Sequence, residues 1–410
     1  MPSLLRVAVL AAALASASPI WAQSLTLDGA ITRAVAASPQ GAASAARVET
    51  LNATRARADT RPTDTVDVMI ENLGIGGSDL NRQIQLTGTY SRMMERGGKR
   101  AARIGVVDAD ITIVRAEALI RRLEIATAVQ RLYVEAQATE ATVSIARERI
   151  TIAEQLSREV GRRVADARDP LFAGTRARTQ LAEARVDLEI AEHAREAALA
   201  RLALLLGDPA AKLTIGRGDF LDVEDASASL QLAAVDLAVF DARRRRAMAE
   251  LTLQRANART DPTVSGGPRL IGTGDIAVVA GVSLPLANRR LNRANIARAE
   301  AEARQIEADL AVDQFQRRQQ IALAAEKVTE TAHEVKAVRG QVVPGAQQTL
   351  AEVRAGYNRG GFTFLDVSTA QVALHEARAR MVRAATRHHE ARVELDRLTG
   401  RFAPLVQDPS

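Results

Sequence analysis

Apolar and small side chains recur in steps of four and three through the first half of the chain. Ile125, Val129, Leu132, Ala136, Thr139, Val143, Ala146, Ile150, Ala153, Ser157, Val160 and Val164 form one seam of more than five heptads. A seam of that period predicts a helix paired with neighbours in a coiled coil, and its Ala, Thr and Ser positions allow the axes to approach closely. Arg100–Val160 contains no proline and one glycine, Gly105. At 1.5 Å per residue such a run is a rod of roughly 90 Å. Asp166–Phe172 predicts a turn, and a return helix runs from Thr175 to Leu206, where Asp208-Pro209 stops it.

Elsewhere the period drops to two. Thr65–Glu71 and Arg82–Tyr90 alternate on either side of the turn-rich stretch Asn72–Asp79, which predicts a β-hairpin. Thr263–Leu270 and Ile276–Leu286 do the same around Gly272-Thr-Gly-Asp275. A helix with a break at Ser38-Pro39 precedes the first hairpin, over Thr26–Ala58. A second long rod follows the second hairpin, from Arg293 to about Gly356, with Gly340, Pro344 and Gly345 predicting a kink. It turns at Asn358–Phe364 and returns to Leu398; Lys212–Asp225 reads as an irregular link between the halves.

The plan is thus written twice. Leu181, Glu183, Ala184, Arg185 and the helix-ending Gly207 recur 193 positions later as Leu374, Glu376, Ala377, Arg378 and Gly400. Units of this length are too large for a solenoid repeat and imply a duplicated architecture. The expected division is 1–22 leader, 23–215 first repeat (hairpin 64–91, long helices 99–206) and 216–410 second repeat (hairpin 263–286, long helices 290–398).

Composition narrows the class. The 410 residues are 47% hydrophobic yet only 3% aromatic, which suits long Ala-rich helices better than a thick globular core. Arg6, the apolar run Val7–Leu14 and the small residues Ser16–Ala22 read as a cleaved export signal, cut after Ala17 or Ala22. The chain has no cysteine, so disulfides, thiolate metal sites and a lipid-modified N-terminal cysteine are excluded. A formal net charge of +6 is spread among interleaved acids, the pattern of solvated helix faces; with so few aromatics, no nucleic-acid partner is expected.

An isolated hairpin cannot hold itself together, and strands exported to an outer membrane are satisfied there only in a closed barrel. Four strands per chain close a barrel only when several chains contribute. The chain resembles the TolC family of outer-membrane efflux ducts. The resemblance rests on the duplicated hairpin-and-rod plan, on Tyr357-Asn-Arg-Gly-Gly-Phe-Thr-Phe-Leu-Asp366-Val with Ala370-Gln371, and on Leu204-Leu-Leu-Gly207. Glu71-Asn-Leu-Gly74 and Gly97-Gly-Lys-Arg100 are similar to its cobalt–zinc–cadmium cation-efflux branch, with Leu73 where that branch has proline.

The resemblance implies a mainly α fold with a small β part. Long antiparallel helices would lie in two repeats, each with a hairpin, and complete a homotrimeric 12-stranded β-barrel over an α-helical barrel. It implies a channel in outer-membrane lipid with a large periplasmic part, working with a periplasmic adaptor and an inner-membrane RND pump. The cargo would be divalent heavy-metal cations. Drug or organic-solute efflux or type I secretion through the same fold is an alternative, and a periplasmic coiled-coil scaffold is one of another class.

The implied gate and adaptor contact lies at the two helix turns, at Asp166, Arg168, Asp169 and Phe172, and at Arg359, Gly360, Gly361, Phe362, Phe364, Asp366 and Thr369. Asp366 matches the first of two aspartates that ring the entrance in relatives; Thr369 stands at the second. Asp366 also suits a helix cap, Gly360 and Gly361 suit a tight reversal, and the phenylalanines suit either partner contact or packing across the tip. His193, His333, His375, His388 and His389 show no ligand spacing, and no catalytic constellation or cofactor motif is present, so neither metal site nor enzyme is expected. Among the predicted strands Tyr90 is the only aromatic, so a lipid-facing belt would be aliphatic.

Overall fold

The computed structural model describes residues 25–73, 83–216, 220–223 and 231–407. The expected leader and most of the first hairpin turn lie outside them. The elements run α1 (Leu27–Ala37), α2 (Gln40–Ala58), β1 (Thr65–Glu71), β2 (Gln85–Met93), α3 (Lys99–Ala165) and α4 (Leu171–Leu205). They continue as α5 (Ala234–Asn257), β3 (Thr263–Ile271), β4 (Ile276–Ser283), α6 (Arg289–Ala337), α7 (Val343–Asn358), α8 (Phe364–Thr399) and α9 (Ala403–Val406). The helical rods and strands stand close to their expected bounds. The strand ends moved: β2 starts at Gln85 rather than Arg82, and β4 stops at Ser283 rather than Leu286. Helix α5 is an addition to the sequence reading.

The chain forms two compact units, each drawing on both halves of the sequence. One takes residues 1–38, 123–231 and 320–410, and the other 39–122 and 232–319.

The second unit carries a four-stranded antiparallel sheet in the order β1-β2-β3-β4. Directly opposed residues share a face, and the register gathers most of the aliphatic side chains on one of them. Val66 opposes Tyr90, Ile70 opposes Leu86, Leu86 opposes Leu270, Val264 opposes Val282, and Leu270 opposes Ile276. That face is apolar and open to its surroundings, with Val278 85% and Val66 73% exposed. The opposite face carries Asp67, Glu71, Gln85, Thr87, Thr89, Ser91, Ser265 and Arg269, with Met69, Met93, Ile271 and Val279 among them. Both outer strands, β1 and β4, have one edge unpaired within the chain.

In the first unit α3 and α4 form an antiparallel pair. On the predicted α3 seam Val129, Ala136, Val143, Ala146, Ala153 and Val160 are buried, and no seam residue is fully exposed. Against it α4 buries Ala177, Ala184, Ala191 and Ala198, one every seven residues. A side chain no larger than a methyl at each heptad lets two helices lie close. Ala30, Ile31, Leu123, Val129, Leu202 and Phe402 close one end of this unit into a small core. The predicted kink in the second rod is a π turn, Val338–Val342, just before Pro344. Proline lacks the N–H an α-helix needs and crowds the carbonyl four residues back, so the ladder widens there instead of breaking.

Candidate functional site

Both helix turns of the first unit come together at one end of its bundle, over a shared apolar plug of Leu156, Val160, Ala173, Leu350, Tyr357, Phe364 and Val367. At the first turn Ala167 adopts a left-handed φ of 56°, and the Arg168 N–H returns to the Arg163 carbonyl at 2.8 Å. At the second, Gly360 has φ 83° and Gly361 has no positive φ, so only the first of the two glycines is required by the reversal. The ring of Phe362 lies on Gly356, where a Cβ would come within 2.1 Å of Phe362 Cδ2.

One polar cluster ties the turns together. Arg163, in the last turn of α3, donates from Nε to Asp169 Oδ2 at 3.0 Å and from Nη1 to the Tyr357 carbonyl at 3.1 Å. The Tyr357 hydroxyl donates to the same Asp169 oxygen, and the Arg163 guanidinium lies 4.3 Å from the centre of the Tyr357 ring. Tyr357 is fully buried, and the Arg163 and Asp169 side chains are nearly so. Burial opposes the Asp169 charge, but the bonds from Arg163 and Tyr357 more than offset it and hold the carboxyl below its ordinary range. Burial, followed by the bond to Asp169, pushes the Tyr357 phenol upward. One turn further along, Arg354 donates to Glu159 Oε2 at 3.0 Å and 3.1 Å.

Of the residues expected at the gate, the structure gathers all at this end but gives them different tasks. Asp366 is the third helical residue of α8 and completes a capping box: its carboxylate accepts the Thr363 N–H at 2.8 Å and hydroxyl at 2.7 Å. Those bonds lower its pKa, and the group stays open to solvent as a fixed negative charge. Thr369 donates to the Leu365 carbonyl at 2.9 Å and adds no charge. Phe364 is buried in the plug, whereas Phe172 and Phe362 are exposed beside Leu171 and Leu365. The tip is therefore an apolar surface of two leucines and two phenylalanines, edged by Asp166, Arg168 and Arg359, which are exposed. Arg163 and Tyr357 were not picked out as site residues from the sequence. Their signal is the motif residue Tyr357 itself, a tyrosine in a chain with three.

The Gly97-Gly-Lys-Arg100 segment is a corner between β2 and α3. Gly97, at φ 78°, leaves room for Arg259 and the Ala256 carbonyl. Lys99 pairs with Asp261 at 2.6 Å, Arg100 with Asp59 at 2.8 Å, and Arg103 with Glu95. Asp261 also accepts the Arg96 N–H at 2.8 Å, which fastens the end of β2 to the start of β3. Its burial works against ionisation, yet Lys99 and that N–H keep the carboxyl below its usual value. Among the described residues no group of three or more His, Asp or Glu is placed to hold a metal ion.

Residues 255–401 match the family model described as outer membrane efflux protein. Over 387 residues the chain is 24% identical to the cobalt-zinc-cadmium resistance protein CzcC of Cupriavidus metallidurans, covering 92% of this chain and 90% of that one. Among solved structures, the outer membrane protein VceC of Vibrio cholerae superposes with a TM-score of 0.70 at 18% identity, over 92% of this chain and 96% of that one. CusC, solved in a study of its folding and transmembrane channel formation, superposes at 0.69 and 16% identity, over 92% of each chain. These likenesses show the fold of outer-membrane channels over nearly the whole length, and the sequence resemblance to efflux proteins holds.

Proposed function

We propose, taking the match of residues 255–401 to the outer membrane efflux protein model as support, that the chain is the passive exit duct of a tripartite efflux system, and that its cargo is divalent heavy-metal cations. The observation that carries the duct reading is the four-stranded sheet. One face is aliphatic and exposed, the other is polar, and both edges are unpaired. An aliphatic face has no aqueous use, but in lipid it is satisfied; the polar face then lines a water-filled lumen once further copies close the barrel. Three chains of four strands give the homotrimer. On this reading 23–215 and 216–410 are two repeats of one unit. An export signal at 1–22 takes the chain to the outer membrane, and the turns of the helical bundle point into the periplasm.

The tip then performs two tasks. Leu171, Phe172, Phe362 and Leu365 offer an apolar surface for a periplasmic adaptor, which links the duct to an inner-membrane pump. The Arg163–Asp169–Tyr357 cluster is a latch that holds the two turns together until the adaptor docks. Energy comes from the pump, and the duct does no chemistry. Metal cargo is supported by the Gly97-Gly-Lys-Arg100 resemblance and by the likeness to CzcC. A duct should not bind its ions tightly, and neither support depends on a metal-holding cluster.

Growth of a deletion strain across zinc, cobalt, cadmium, nickel and copper, beside drugs and detergents, tests the reading. Sensitivity to divalent metals alone, restored by the gene, is the expected result. Sensitivity confined to organic compounds would transfer the duct to drug efflux.

A further inference from the structure

The ends of the sheet that meet the helices are far more basic than the ends that meet the turns. Segments 57–64, 92–103, 255–261 and 287–293 flank β1, β2, β3 and β4 on their helix side. The register aligns these ends, with Thr65 opposite Ser91 and Thr263 opposite both Met93 and Ser283. Together the four segments hold twelve basic residues against four acidic ones. At the other end the β3–β4 turn Gly272–Asp275 carries one acid and no base.

Every acid on the helix side is already taken. Asp59 pairs with Arg100, Asp64 with Arg92, Glu95 with Arg103 and Asp261 with Lys99. The side chains of Arg57, Arg61, Arg96, Arg259, Arg289 and Arg290 are exposed, and among the described residues none of them is ion-paired with an acid. Exposed Met94, Leu284 and Leu286 stand in the same flanking stretches, between the ends of β2 and β4 and the helices that follow. All but one of the twelve basic residues are arginine, the side chain whose planar fork matches phosphate oxygens in pairs. A solvated face would interleave its signs; this one has spent its acids and kept its cations.

We infer that this belt binds the phosphate headgroups of anionic phospholipids in the leaflet nearest the helices. The inference rests on the outer-membrane reading and adds a lipid class to it. Guanidinium groups at the foot of an aliphatic belt sit at headgroup depth, with their stems along the apolar surface and their charge among phosphates. Such contacts hold the barrel at one depth and explain why the belt needs no aromatic girdle. The acid–base pairs of the corner serve the chain itself, and the unpaired arginines serve the lipid.

Full-length protein in neutral detergent, offered equimolar phosphatidylglycerol and phosphatidylcholine, gives the test, with retained lipid counted by native mass spectrometry. The expected preference for phosphatidylglycerol is about fivefold or more, falling toward parity as salt is raised. Replacing four belt residues together (Arg57→Gln, Arg61→Gln, Arg259→Gln and Arg290→Gln) should abolish it. Replacing two exposed arginines elsewhere (Arg176→Gln and Arg318→Gln) should leave it intact. Equal retention of the two lipids by the wild type, or undiminished preference in the fourfold variant, overturns the inference. So does a fourfold variant that separates into single chains when the wild type shows no preference, since the arginines would then pair between subunits. Should the fourfold variant fail to fold, the salt dependence of the wild type decides alone. Protein that stays soluble without detergent would remove the membrane reading itself, which detergent-dependent protein lacking lipid preference would not.

Discussion

A Cβ placed on Gly267 would lie 1.8 Å from the Gly88 carbonyl oxygen, inside the β2–β3 ladder. No rotamer relieves a clash between a β-carbon and backbone, so Gly267→Ala must part the strands at the centre of the sheet. The cost is about 1–3 kcal/mol, enough to disfavour the barrel proposed for the sheet. Gly281→Ala is the control, because its nearest neighbour is the Ser265 hydroxyl, at 3.0 Å, which can rotate. The expected outcome is loss of heat-resistant oligomer on gels for the first variant and not for the second. At the other end of the chain's chemistry, Tyr357→Phe keeps the buried ring and deletes one bond to a charged carboxylate, worth about 1.5–3 kcal/mol. If the latch holds the turns closed, this variant conducts more ions across planar bilayers than the wild type; unchanged conductance would remove the latch from the mechanism. Its pH limits follow from the shifts. Asp169 titrates below its ordinary 3.8 in the fold, so its stabilisation is complete above that value and is lost as the pH falls through the lowered one. Tyr357 titrates above its ordinary 10.0, so its contribution is whole below pH 10 and declines as the unfolded chain ionises above it. Conductance should therefore be flat between these limits and rise outside them.

At the scale of elements, Asp366 separates two roles that coincide in one side chain. It caps α8 through two bonds from Thr363, and it carries an exposed negative charge at the mouth of the bundle. Asp366→Asn keeps an acceptor oxygen for the cap but removes the charge, whereas Asp366→Ala removes both. A gate role predicts that cation selectivity in bilayers falls equally in both variants, while melting temperature falls mainly in the alanine one. Selectivity unchanged by Asp366→Asn would leave capping as the whole function. The cap at Asp366 also shows what could be read in advance. Rods and strands were legible because period, proline and glycine act within a few residues, and the register of the sheet follows from alternation. The left-handed Gly207 and Gly400, 193 residues apart, ended their helices as expected. Helix α5 lies outside the duplicated rods, and its local signal is the absence of proline and glycine from 231–258. The opposite fates of Phe362 and Phe364 turn on Thr363, the cap residue between them: one ring stays on the turn and the next enters the plug. The latch joins Arg163 to Tyr357 across 194 positions, and no local pattern announces a partner so distant.

For the whole molecule, the unpaired edges of β1 and β4 set the requirement for assembly. Each edge presents a row of backbone donors and acceptors that neither lipid nor an apolar neighbour can satisfy, so a single chain cannot remain in a bilayer as it stands. On the proposed duct reading a β1 edge would meet its need on the β4 edge of another copy, and repetition of that contact would close a ring of symmetric copies. The protein offers a clean chemical test because it has no cysteine of its own. Thr65, Asp67 and Met69 on β1 share the polar face with Val279, Gly281 and Ser283 on β4. Double variants pairing one cysteine from each set, such as Asp67→Cys with Gly281→Cys, should include at least one that oxidises into a ladder of one, two and three chains in outer-membrane vesicles. The bond would form between chains, since β2 and β3 separate the two edges within one. A ladder that ends at three fixes the barrel at twelve strands; one that extends further, or no cross-link at any of the nine pairs, would exclude the trimer.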